Sequence, residues 1–154
     1  MRPLSSPARE NRFLGLVEIG IGFFFAVAAG VLNPIEAAVG VVAGTLIVGS
    51  VMSVLRIRRA ARATHAARPA PTDEREELGV FPRRIAWPVA GQLAVCLAIV
   101  AAARSPGLIA GIAFGVGIAL IVTARWLERW EDAHKISLLH ERGRKGFYVA
   151  HPER

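Results

Sequence analysis

Four long apolar runs, separated by charged segments, organise the chain: Phe13–Leu32, Ile35–Leu55, Ile85–Ala103 and Gly107–Ala124. They hold 20, 21, 19 and 18 residues, and their only charges are Glu18 and Glu36. A helix rises about 1.5 Å per residue, so roughly 20 residues cross the ~30 Å of hydrocarbon in a bilayer. The pattern predicts an all-α integral membrane protein with four transmembrane helices. The joints Asn33-Pro34 and Arg104-Ser105-Pro106 are too short for anything but antiparallel helical hairpins. In each, Pro opens the return helix, where its missing N–H costs nothing. The predicted organisation is therefore a terminus 1–12, hairpin 13–55, charged loop 56–84, hairpin 85–124 and a tail 125–154.

Composition agrees with this reading. Of 154 residues, 53% are hydrophobic and 20% charged, and their segregation into blocks excludes a soluble globular domain. Cys96 is the single cysteine, which excludes a disulfide scaffold. Arg2, Arg9 and Arg12 ahead of the first run imitate a signal peptide, but 20 apolar residues exceed the usual h-region. The first run is read as a retained span.

Charge placement sets the expected topology. Residues 1–12, 56–84 and 125–154 carry 3, 8 and 7 Lys/Arg, which is 18 of the 19 in the chain. Only Arg104 falls on the opposite side. By the positive-inside rule, both termini and the middle loop are cytoplasmic in the cell membrane. The net charge of +7 thus reads as topology, and nucleic acid is not an expected partner. Basic residues interleaved with aromatics would mark such a surface, whereas the basic loop has no aromatic before Phe81.

Small residues recur four apart in every run: Gly22, Ala26 and Gly30; Gly40 and Gly44; Ala90, Ala94, Ala98 and Ala102; Gly107, Gly111 and Gly115. Such rows let backbones approach closely, which holds helices together in lipid. They predict a compact bundle, or one that packs against itself or another membrane protein. Arg56, Arg58, Arg59 and Arg62 continue the second helix and are candidates for contact with anionic lipid headgroups, at about 1 kcal/mol each; fixing topology alone is the competing role. Residues Arg125–Glu141 read as an amphipathic cytoplasmic helix, with Trp126 and Trp130 at the interfacial belt. Phe147-Tyr148-Val149 is a candidate docking strand or lipid contact, or a loose terminus.

Glu18 is the residue with the most chemical content. A carboxylate inside a span costs about 2.5–3.5 kcal/mol on insertion scales and faces a protein interior. Steps of four from Glu18 reach Gly22, Ala26 and Gly30, so it extends the packing row. Ser50 and Gln92 lie at similar depth, and the three define a candidate intramembrane polar layer able to hold a proton or a cation. The competing reading is that Glu18 snorkels to pair with Arg12, Arg56 or Arg84. Glu131-x-x-His134 places two metal-ligating side chains on one helix face, but no second such pair exists. No nucleophile elbow, Gly-rich phosphate loop or Cys pair occurs. No catalytic residue, cofactor or metal site is predicted.

Residues Gly15-Leu16-Val17-Glu18-Ile19-Gly20-Ile21-Gly22, the Asn33-Pro34 turn and Val39–Leu55 resemble the hairpin repeat of the HdeD-type (DUF308) membrane proteins. Trp87–Pro106 followed by Gly107–Trp126 is similar. That family shows three hairpins where this chain has two and a long loop. The resemblance implies an accessory protein, in some members linked to acid stress, and carries over no catalytic residue. Two functional expectations stand. One is a non-enzymatic accessory, assembly or structural component of a membrane complex. The other is a small proton- or cation-coupled transporter using Glu18; in topology and in its single first-span Glu the chain resembles the small multidrug transporters. Their substrate-facing aromatics have no counterpart, since Trp87, Trp126 and Trp130 sit at span ends.

Overall fold

A computed structural model describes residues 4–69, 106–141 and 147–150. The expected third span (Ile85–Ala103), with Gln92 and Cys96, lies outside the described residues. Three long helices dominate: α1 (Pro7–Leu32), α2 (Pro34–His65) and α3 (Pro106–His134). Their 26, 32 and 29 residues correspond to roughly 39, 48 and 44 Å. All three are long and apolar enough to cross a membrane.

Local chemistry explains where these helices start and turn. Ser6 caps α1, its hydroxyl accepting from the Arg9 N–H at 3.5 Å, and Pro7 takes the first helical position. Asn33 alone turns the chain between α1 and α2. Its N–H donates to the Ala29 carbonyl at 2.8 Å, and its Oδ1 accepts from the Glu36 N–H at 3.2 Å. One residue thus ends one helix and caps the next, and Pro34 starts α2 without a wasted donor.

The helix order in space differs from that in sequence. α3 packs along both α1 and α2, while α1 and α2 touch each other little. The first two helices form a hairpin at Asn33 but splay apart to admit α3 between them. Glycine contacts give the directions. Gly107 meets Ala37, Gly111 meets Gly44 and Gly115 meets Gly49, so α2 and α3 run parallel. Gly22 faces Ala110 and Phe114 while Gly15 faces Gly117 and Ile121, so α1 runs antiparallel to α3. The chain therefore enters α3 at the end opposite to the one where it leaves α2.

The tail corrects the all-α expectation. Residues 125–134 do not form a separate amphipathic helix; they continue α3, which stops at His134. Lys135 adopts a left-handed conformation at φ 53°, a helix-ending geometry that Gly usually supplies. Ser137–Glu141, expected to be helical, is instead strand β3. It joins a four-stranded sheet with β1 (Leu4–Ser5), β2 (Arg68–Pro69) and β4 (Tyr148–Ala150), in the order β1-β3-β4-β2. β3 pairs antiparallel with β1 (Leu4 with Glu141) and with β4 (Leu138 with Val149), while β2 runs parallel to β4. Pro69 sits on the edge strand, where its missing donor is tolerated. Tyr148 and Val149, expected in a docking strand or a loose terminus, lie in an inner strand.

Beneath this sheet Ala8, Ala60, Leu127 and Leu138 form a buried cluster, flanked by Trp126, Trp130, Phe147 and Val149. All three helices and the tail contribute to it. The Glu131 carboxylate fixes the turn into β3 by accepting from the Leu138 N–H at 2.5 Å. Burial pushes the Glu131 carboxyl above its usual range; the Leu138 hydrogen bond opposes this, and Asp132 and Glu128 add to it.

Candidate functional site

Two places concentrate polar chemistry on an otherwise apolar bundle. The first is the α1–α3 seam. Gly15 and Gly22 bring α1 against Gly117, Ile121 and Phe114 of α3: a Cβ on Gly15 would lie 2.9 Å from the Gly117 carbonyl oxygen. Phe114 fits into the gap over Gly22, its ring 3.1 Å from where a Cβ would stand. Glu18 lies between these two glycines on the same helical face and is 7% exposed. It is buried within the span, as a carboxylate facing protein must be. Of the arginines expected as snorkelling partners, Arg12 pairs with Glu128 at 3.7 Å, and Arg56 donates to Asn11. Arg84 lies outside the described residues.

Of the expected polar layer, Glu18 and Ser50 fall within the described residues. Gly49 packs against Gly115, and Ser50, about 100° further round the helix, is exposed. Glu18 is buried and Ser50 exposed, and Gln92 lies outside the described residues.

The glycines expected to pack helices divide in the same way. Gly40, Gly44, Gly107, Gly111 and Gly115 form the α2–α3 seam. A Cβ on Gly40 would lie 2.7 Å from the Gly107 carbonyl carbon, and one on Gly111 would overlap the Gly40 carbonyl oxygen. Thr45 adds a hydroxyl hydrogen bond to the Gly111 carbonyl at 3.5 Å. Gly22 serves the other seam. Gly30 serves neither: a Cβ there meets nothing within 4 Å among the described residues, because α1 has turned that position away from α3 by its last turn. Sequence spacing missed Gly15, Gly49 and Gly117. The detectable signal was a second stripe on α3 (Ala110, Phe114, Gly117, Ile121), which marks a helix with neighbours on two sides.

The second place is a groove of about 260 Å³ at the sheet end, between α1 and α2 and floored by α3. Asn11, Arg56, Arg59, Thr123, Leu127 and Phe147 line it. Arg56 reaches across, its Nη2 donating to Asn11 Oδ1 at 2.8 Å, while its buried Nε has no acceptor among the described residues. Arg58 and Arg62 are exposed and do not line the groove. The four arginines thus fall into two pairs.

Glu131 and His134 are each engaged structurally. His134 stacks on Trp130 with ring centroids 4.2 Å apart, and its Nδ1 lies 2.8 Å from the Trp130 carbonyl. Among the described residues no three His, Cys, Asp or Glu side chains come together as a metal site would require. No protein-family model matches the chain, and neither curated proteins nor solved structures provide a match.

Proposed function

We propose that the chain is a non-enzymatic, multi-pass component of the cell membrane that acts by packing against itself or another membrane protein. In this reading four spans cross the bilayer, both termini and loop 56–84 face the cytoplasm, and anionic headgroups meet the basic end of α2. The single observation carrying it is the division of surfaces around α3. Both seams use close glycine contacts, while the outer faces of α1 and α2 keep large apolar side chains exposed, among them Phe23, Val31, Leu46 and Ile47. Continuous apolar faces of this extent suit lipid or a partner and not water. The parallel course of α2 and α3 supports the four-span count. Returning the chain between them takes an odd number of crossings, and segment 70–105 contains one apolar run long enough.

A second reading is favoured by the burial of Glu18 in the α1–α3 seam, where a proton-coupled transporter would place its carboxylate. Glu18→Gln separates the two, since it keeps size and hydrogen-bonding capacity and removes only the ionisable charge. At matched protein levels, growth or transport across external pH should be unchanged in the variant if the protein is a packing component. Its co-purifying partners in mild detergent should be unchanged too. A variant that folds and is expressed but loses activity in a pH-dependent way would replace the accessory reading with the transporter.

A further inference from the structure

We propose that the sheet-end groove binds a single phosphate group between Arg56 and Arg59, presented by the headgroup of an anionic phospholipid. The inference rests on the membrane reading above and adds to it a discrete site in place of a diffuse basic surface. Among the described residues the groove lining contains two guanidinium groups and no carboxylate, so none of these walls neutralises the charge. Arg56 is held across the groove by Asn11, which leaves its buried Nε as a donor with no acceptor among the described residues. A tetrahedral phosphate presents pairs of acceptor oxygens at the spacing that the planar guanidinium fork matches.

Depth favours a headgroup as the source. Asn11 lies just before the first apolar run and Arg56 just after the second, so the groove opens where the hydrocarbon ends. Headgroups occupy roughly 5–8 Å on each side of that core. Arg59, three residues beyond Arg56, is about 4.5 Å further along the helix axis. The two arginines thus span the layer in which lipid phosphates lie. Arg58 and Arg62 bring equal charge to the same helix but face away from the groove, which makes them an internal control.

The test uses the full-length protein in neutral detergent micelles. Retention of phosphatidylglycerol and of phosphatidylcholine is measured by native mass spectrometry, and inorganic phosphate is titrated in a separate arm. The wild type should retain phosphatidylglycerol preferentially. Arg56→Gln and Arg59→Gln should each weaken that retention about five- to tenfold, while the Arg58→Gln/Arg62→Gln pair changes it less than about twofold. Arg59 is exposed, so its variant carries the test if Arg56→Gln misfolds. Protection by inorganic phosphate without lipid preference would keep the phosphate site and overturn the lipid source. Equal losses in both arginine pairs, or no binding of either ligand, would overturn the site. Extraction of the wild type from membranes by alkaline carbonate would instead overturn the membrane reading and leave the phosphate arm to judge the groove.

Discussion

Replacing Gly111 by Leu should separate α2 from α3 and cost at least about 3 kcal/mol, the upper part of the usual overpacking range. The reason is geometric. A Cβ at Gly111 would overlap the Gly40 carbonyl oxygen and stand 3.0 Å from Gly44 Cα and the Val41 carbonyl oxygen. All of these are backbone atoms, which cannot swing aside as a side chain can. Even Gly111→Ala should destabilise the bundle. Gly30→Ala is the matching control, because no described residue lies within 4 Å of its added Cβ. There the substitution should be neutral or stabilising by up to about 1 kcal/mol, through the lower entropy of the unfolded chain. Val116→Leu, on the same helix as Gly111, should also be tolerated. Thermal unfolding in detergent reads all four variants, and equal losses at Gly111 and Val116 would contradict the seam.

Leu138→Ala should cost about 2–5 kcal/mol and loosen the sheet end of the molecule as a unit. Leu138 is fully buried against Ala8, Ala60 and Leu127, and its N–H is anchored by Glu131. The cluster joins the start of α1, the end of α2, the end of α3 and strand β3. A cavity at its centre should therefore expose both the N-terminus and the tail to protease, not the tail alone. Trp126 and Trp130 pack against the cluster and report its loosening by fluorescence. Cleavage confined to the tail would mean that the segments are not coupled.

These two sites also mark what the sequence did and did not disclose. The three described helices were legible because each contains a long apolar run opened by Pro or bounded by charge, and Asn33-Pro34 carries its own capping chemistry. The glycine rows were legible as surfaces of close approach. Their partners were not, since four-residue spacing says that something packs closely without saying what. The placement of α3 between α1 and α2 therefore emerged only from the structure. Strands of two to five residues, paired between the N-terminus, the end of α2 and the tail, leave too short a local pattern to read. The 3.6-residue periodicity of Trp126, Trp130 and Ala133 is real, but it continues α3 and ends at Lys135. Glu18 carried two readings from sequence, an interior carboxylate in the Gly22 row and an interfacial ion pair, and it is buried at 7% exposure. Ser50 was read from depth alone, which does not specify the face a residue occupies; it is exposed on α2.

α2 and α3 run parallel, and the proposed topology follows from it: an odd number of crossings between them, with both termini and loop 56–84 in the cytoplasm. Single cysteines at Asn33, Thr72 and Ser105, each in a Cys96→Ala background, test it on intact cells with a membrane-impermeant thiol reagent. Labelling is expected at Asn33 and Ser105, with protection at Thr72 until the membrane is permeabilised. Labelling at Thr72 with protection at the other two positions would contradict it.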